Sequence, residues 1–317
     1  MTEHSQSTLV STAFVFPGQG SQSLAMLSDF TETSELKRTF EEASDALGYD
    51  LWALAQQGPE QDLNQTDKTQ PLLLTASVAL WRVWQSKASL PSWVAGHSLG
   101  EYSALVCAGI MKFQQGIKLV EQRGQYMQQA VPAGVGKMAA IIGLDDEQVK
   151  AACQQSSENE IVAPVNYNSP GQIVIAGNAG AVERAMQACK DTGAKRALPL
   201  AVSVPSHCLL MKSASEKLDQ LLASIELSDS KIKIVNNVDV AVETDTNKIK
   251  NALVRQLYCP VRWSECVTFL AKQNITNFVE CGPGKVLSGL SRRIDRSLNA
   301  FQTLDSSSFD KAIEALG

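Results

Sequence analysis

Residues 93–95 are a short apolar stretch that runs into Gly96-His97-Ser98-Leu99-Gly100, and a helical pattern begins at once with Glu101. Gly-x-Ser-x-Gly between a strand and a helix is a nucleophile elbow, a tight turn that holds a serine hydroxyl above the end of a sheet; small residues on both sides permit it. The pentapeptide alone is common, and its place after a strand and before a helix is what gives it weight. It also constrains the fold, since the strand must lie in a sheet against which the helix returns. The N-terminus of that helix turns N–H groups and a positive dipole end toward the serine, so charge developing on an attacked carbonyl would be stabilised, with Leu99 N–H as first donor.

The rest of the chain fits the frame. Residues 13–16 read as a strand entering Pro17-Gly18-Gln19-Gly20, and residues 231–235 and 277–281 as strands, the latter ending in Gly282-Pro283-Gly284 before a helix from Lys285. Pro71 is expected to open a buried helix through Leu72, Leu74, Val78, Leu80, Val83 and Trp84. A further helix carries Phe113, Ile117, Val120, Gly124, Met127 and Val131 on one stripe, and Arg123 falls on it. Strands alternating with helices imply a mostly parallel sheet. Between the joints near 134 and 202 the rhythm changes to strand 137–143, helix 145–155, strands 161–167 and 172–176, helix 181–192 and strand 195–202. That order is βαββαβ, the ferredoxin-like unit. The expected fold is therefore α/β, with an α/β-hydrolase-like large domain (1–133 and 203–317) and an inserted ferredoxin-like small domain (134–202).

A serine nucleophile needs a base, and the chain has 3 histidines: His4, His97 and His207. His4 is expected in a disordered arm. His97 adjoins the serine in a turn where neighbouring side chains diverge, which leaves His207, just past the inserted segment; a buried structural imidazole is the plainer alternative for it. A carboxylate or a backbone carbonyl could hold its tautomer. Arg123 on an apolar stripe needs an anion: an internal Asp or Glu, or a substrate carboxylate that its planar fork would grip in bidentate fashion. The Gly18-Gln19-Gly20 loop lacks the third glycine of a dinucleotide motif. It is either a plain turn or the carrier of Gln19 N–H as a second oxyanion donor. Gly282-Pro283-Gly284-Lys285 reads as a strand-to-helix turn, with Lys285 available to an anionic partner.

Composition removes several function classes. With net charge -5 and no Lys/Arg run, a nucleic-acid or anionic membrane surface is not expected as the main partner. The longest apolar runs, residues 71–74 and 105–111, are far below the ~20 residues of a membrane span. The polar first residues lack a secretory pattern, and the 7 cysteines lie scattered with no metal-clasping spacing, so a cytosolic protein without a metal is expected.

In this order, Phe16-Pro17-Gly18-Gln19-Gly20-Ser21-Gln22, Gly96-His97-Ser98-Leu99-Gly100-Glu101, Gln122-Arg123-Gly124, Asn166-Tyr167-Asn168-Ser169-Pro170, Val204-Pro205-Ser206-His207, Asn236-Asn237-Val238 and Val279-Glu280-Cys281-Gly282-Pro283-Gly284 resemble the malonyl-CoA:acyl carrier protein transacylase family of fatty acid synthesis. The match runs over residues 14–290. It implies an acylated Ser98, His207 as base, the Gln256 backbone carbonyl as the partner of that histidine, Arg123 on the malonate carboxylate, and Gln19 and Leu99 as oxyanion donors. The implied reaction is ping-pong transfer from malonyl-CoA to the phosphopantetheine thiol of acyl carrier protein. Coenzyme A thioester enters as substrate, no cofactor is held permanently, and a monomer is expected. Docking of an acidic carrier would need a basic face, for which Lys195, Arg196, Lys285, Arg292 and Arg293 are candidates. The alternatives are a serine hydrolase or thioesterase, an acyltransferase of polyketide synthesis with a different acyl preference, and a non-catalytic docking domain.

Overall fold

The computed structural model describes residues 9–202 and 204–316, so His4 lies outside the described residues. Five strands, β1 (Leu9–Phe16), β2 (Pro91–Gly96), β7 (Lys233–Val235), β8 (Asn277–Glu280) and β9 (Asn299–Gln302), form a sheet in the order β7-β2-β1-β8-β9, and every pair is parallel. The side-chain alternation of β1 explains why it sits in the middle. Phe14 and Phe16 face one core, where Phe14 meets the Trp84 ring edge-on at 4.9 Å, while Ala13 and Val15 face a second core with Trp263 and Phe278. A strand apolar on both faces belongs inside a parallel sheet covered by helices on either side.

Register brings the carboxyl ends of three strands together: Phe16 pairs with Gly96, and Val15 with Glu280. The loops that follow β1, β2 and β8 therefore leave the same edge, where open α/β sheets bind their ligands.

The second sheet takes the four strands β3 (Gly136–Ile142), β4 (Val162–Ser169), β5 (Gln172–Asn178) and β6 (Arg196–Pro199) in the order β4-β5-β3-β6, all antiparallel. Helices Asp146–Ser157 and Ala179–Asp191 cover one face through Val149, Ala152, Val182 and Ala185. On the opposite face, Met138, Val165, Val174 and Ala176 pack with Cys208, the residue after His207. Tyr167 N–H donates to the Val261 carbonyl at 2.9 Å, which ties β4 to the segment behind the first sheet.

Two local readings need correction. Pro71 does not open its helix, which spans Thr66–Gln85 with Pro71 inside it. The added turn is held by packing: a Cβ on Gly124 would lie 2.5 Å from Asp67 Cα, so that glycine lets the helix Phe113–Ala130 press directly on the first turn. The proline costs the hydrogen bond its missing N–H would have made to Asp67 and sets its ring against that carbonyl. Strand β9 was not expected from the sequence; its two apolar residues, Ala300 and Phe301, lie between two amide side chains, and it forms by pairing with β8. Among the described residues no helix is long and apolar enough to cross a membrane.

Candidate active site

The elbow geometry follows from its glycines. A Cβ on Gly96 would lie 1.8 Å from the Gly100 carbonyl carbon, and one on Gly100 would lie 2.0 Å from the Phe16 carbonyl oxygen. Only glycine lets strand, helix and neighbouring strand cross so closely. Ser98 takes φ 53° and ψ -109°, a strained conformation for a residue with a side chain, and the surrounding contacts must hold it there. Asn237, just past β7, is the brace: its Oδ1 accepts from Ser98 N–H at 2.8 Å and its Nδ2 donates to the Gly96 carbonyl at 2.7 Å.

Ser98 Oγ lies 2.8 Å from His207 Nε2, and His207 Nδ1 lies 2.6 Å from the Gln256 carbonyl oxygen. A carbonyl can only accept, so the ring proton sits on Nδ1 and the Nε2 lone pair faces the serine hydroxyl. His207 itself has φ 64° and is held through its N–H to the Leu257 carbonyl at 2.9 Å. Burial first, and the Arg123 guanidinium second, pull its pKa down to about 3, so the imidazole is neutral at ordinary pH. His97 points away, with Nε2 2.9 Å from Asn168 Oδ1 in the second sheet and its ring against Trp263.

Arg123 is completely buried. Its Nη1 donates to Gln70 Oε1 at 2.6 Å, and its Nη2 donates to Gln256 Oε1 at 3.1 Å and reaches Ser98 Oγ at 3.5 Å. Its Nε has no partner, and the Tyr102 ring lies beneath at 5.2 Å. No described Asp or Glu is within ion-pair distance, so of the two sequence readings the internal carboxylate pair is absent. A buried cation satisfied only by neutral amides is costly, and the charge is left facing the serine.

The Pro17–Gly20 loop rests on the elbow: a Cβ on Gly18 would lie 2.6 Å from the His97 carbonyl oxygen. Gln19 follows that contact and is anchored by Thr66 Oγ1, which donates to Gln19 Oε1 at 2.8 Å. Leu99 is the first residue of its helix, where N–H groups lack intrahelical acceptors. Gly282-Pro283-Gly284 is the turn expected, and Glu280 accepts the N–H groups of Leu287 and Ser288 at 3.0 and 2.8 Å. Lys195, Arg196, Lys285, Arg292 and Arg293 are all exposed, and Arg293 Nη1 donates to Gln172 Oε1 at 2.6 Å, so the helix Val286–Ile294 meets the second sheet there. The roles of Gln70, Asn237 and the Gln256 side chain are not read from the sequence; Gln70 shares its helix face with Thr66 and Ser77, so its polarity does not stand out there.

An elbow serine, a carbonyl-held histidine and a buried arginine at the carboxyl edge of a parallel sheet define an acyltransferase, and the acyl transferase domain family matches residues 13–300. The malonyl CoA-acyl carrier protein transacylase of Salmonella typhimurium is 60% identical over 290 residues, 91% of this chain and 94% of that protein. An acyl carrier protein S-malonyltransferase structure from Vibrio cholerae O1 superposes with TM-score 0.93 at 59% identity, covering 95% of this chain and 99% of that one. A malonyl-transacylase solved in complex with a type II PKS acyl-carrier protein superposes with TM-score 0.95 at 58% identity, covering 96% and 99%. The chain belongs to the malonyl CoA-acyl carrier protein transacylase family.

Proposed function

We infer that the chain moves the malonyl group of malonyl-CoA to the phosphopantetheine thiol of an acyl carrier protein in fatty acid biosynthesis, by ping-pong transfer through an ester on Ser98. His207 Nε2 takes the hydroxyl proton as Oγ attacks the thioester carbonyl. The oxyanion of the tetrahedral intermediate is held by Leu99 and Gln19 N–H. Collapse breaks the carbon–sulfur bond, and the imidazolium returns its proton to the leaving coenzyme A thiolate. The carrier thiol then gives its proton to His207 Nε2 as its sulfur attacks the ester carbonyl, and the imidazolium passes that proton to Ser98 Oγ as the carbon–oxygen bond breaks. Coenzyme A thioester is a substrate, and no permanently bound cofactor enters any step.

One observation carries the choice of acyl group: Arg123, wholly buried and without a carboxylate partner, lies 3.5 Å from the attacking oxygen. In Arg123→Ala the malonyl carboxylate would be desolvated and unpaired, a penalty of roughly 2–4 kcal/mol, or about 30- to 1000-fold in malonyl transfer. Acetyl-CoA has no carboxylate to strand, so acetyl transfer should hold or rise. Measuring kcat/KM for both thioesters together with Tm decides it: parallel loss with a fallen Tm would make Arg123 a purely structural residue. A hydrolase would instead release free malonate during the same assay.

The pH profile offers a separate check on His207. The base must be neutral, and a depressed pKa extends the neutral form toward acid. Acylation measured well below saturating malonyl-CoA should therefore stay flat as pH falls from about 7 past the ordinary histidine value near 6.5. An acid limb at or above that value would speak against the buried, carbonyl-held base.

The division into a large domain (1–133 and 203–317) and an insert (134–202) is supported by the split into two sheets. The edge strand order of the second sheet supports the ferredoxin-like reading, and an elbow at the carboxyl edge of a parallel sheet supports the α/β-hydrolase-like one. A cytosolic monomer completes the reading. Because one relative was solved with a type II PKS acyl-carrier protein, a polyketide carrier is the second reading; kcat/KM for the two kinds of carrier separates them.

A further inference from the structure

Glu101, near the start of the elbow helix, is 3% exposed, and the acyl-transfer steps above make no use of its carboxylate. Its Oε2 accepts from the Asn237 backbone N–H at 3.0 Å and from Gln256 Nε2 at 2.8 Å. Burial pushes this carboxyl up to about 7 even though those two donors and Arg123 lower it, so an acid is kept where an apolar side chain would be cheaper.

The geometry gives it a task. A glutamine amide has a donor end and an acceptor end. With Gln256 Nε2 committed to Glu101, and at 3.1 Å to the Ser98 carbonyl, Oε1 is turned to Arg123 Nη2 at 3.1 Å. The flipped amide would set an NH₂ group against the guanidinium and an oxygen against the carboxylate, and both contacts would be repulsive. Asn237 Oδ1 also accepts from Nε2, at 3.4 Å, and Glu101, at 2.8 Å the shortest and the only carboxylate of the three acceptors, contributes most to fixing which end of Gln256 the arginine meets. The backbone carbonyl of Gln256, which holds His207, does not depend on that choice.

We propose that Glu101 is a positioning residue for acyl selectivity, one that locks the Gln256 side-chain amide and so aims the Arg123 guanidinium at the malonyl carboxylate. This rests on the carboxylate-binding reading of Arg123.

The test compares kcat/KM for malonyl-CoA and acetyl-CoA, with Tm, in four variants. Glu101→Asp keeps the charge but draws the acceptor back by one methylene, and the malonyl-to-acetyl ratio should fall about 10-fold or more, the worth of a charge-assisted hydrogen bond. Glu101→Gln keeps an acceptor oxygen at the same reach and should hold the ratio within about threefold. Gln256→Met leaves the carbonyl on His207 but removes the amide, so its ratio should fall as in Glu101→Asp. The double variant Glu101→Asp/Gln256→Met should lose no more than Gln256→Met alone, since residues acting through one another are non-additive. Arg123→Ala supplies the reference. An unchanged ratio in Glu101→Asp beside a collapsed ratio in Arg123→Ala overturns the proposal and leaves the Arg123 reading standing. An equal loss in Glu101→Gln and Glu101→Asp also overturns it, since an acceptor at full reach would then not suffice, and a loss in Glu101→Gln alone overturns it in favour of a through-space effect of charge. An unchanged ratio in Arg123→Ala removes the carboxylate clamp and this proposal with it. Should Glu101→Asp fail to fold, Gln256→Met decides, and an unchanged ratio there is a refutation.

Discussion

Ser98→Ala should take up no malonyl group at all. Intact mass after brief mixing with malonyl-CoA is expected to show unmodified protein, and transfer to carrier protein should fall to background. Loss should be complete rather than partial if the proposed ester forms on Oγ, because no other hydroxyl among the described residues shares its place at the elbow. The fold should survive. The contacts that hold the strained turn, Ser98 N–H on Asn237 and the close glycine crossings, involve backbone atoms that alanine keeps. The lost Oγ takes a contact from His207 Nε2 and Arg123 Nη2 alone, and each residue keeps another partner, the Gln256 carbonyl for His207 and Gln256 Oε1 for Arg123. A malonyl adduct on folded Ser98→Ala protein would place the nucleophile elsewhere.

The second large effect belongs to His207. Single-turnover acylation in His207→Ala should drop by about 10²- to 10⁴-fold, the range general-base catalysis supplies. The serine remains in place, and so do the Leu99 and Gln19 N–H groups, so a slow residual reaction is expected. His97→Ala is the matched control. His97 is as close in sequence to the serine as a histidine can be, yet its Nε2 is occupied by Asn168 and its ring lies against Trp263. Its removal should act through packing beneath the elbow, lowering Tm more than rate. A greater loss of acylation in folded His97→Ala than in His207→Ala would reverse the assignment.

The choice between His97 and His207 rests on counting histidines and on the divergence of side chains in a tight turn, and the structure places His207 Nε2 at 2.8 Å from Ser98 Oγ and His97 Nε2 at 2.9 Å from Asn168 Oδ1. Arg123 was legible as a buried cation from its place on a helical stripe, but its partners were not. The expected alternatives were anions, whereas the structure provides two glutamine oxygens, from Gln70 and Gln256. The start of the Thr66–Gln85 helix was misplaced because proline chemistry is a local rule, and here the packing of Asp67 on Gly124 outweighed it. Strand β9 is not legible because Asn299-Ala300-Phe301-Gln302 offers two apolar residues between two amides, and its pairing with β8 makes it a strand.

What the sequence by itself determined is what short spacings encode. These are the elbow with its two glycines, the βαββαβ order of residues 136–199, the stripe that buries Arg123, and the apolar run of residues 13–16 that becomes part of β1. What only the tertiary structure decided is the set of partners for buried polar groups: Asn237 on Ser98 from 139 residues away, Gln256 on Glu101 from 155 away, and Asn168 on His97 from 71 away. The physical reason is one of range. Turn chemistry and periodicity act over a few residues and leave their mark in local composition. A buried hydrogen bond must be met by whichever group the converging loops bring to the carboxyl edge of the sheet, and that depends on the packing of every element between them.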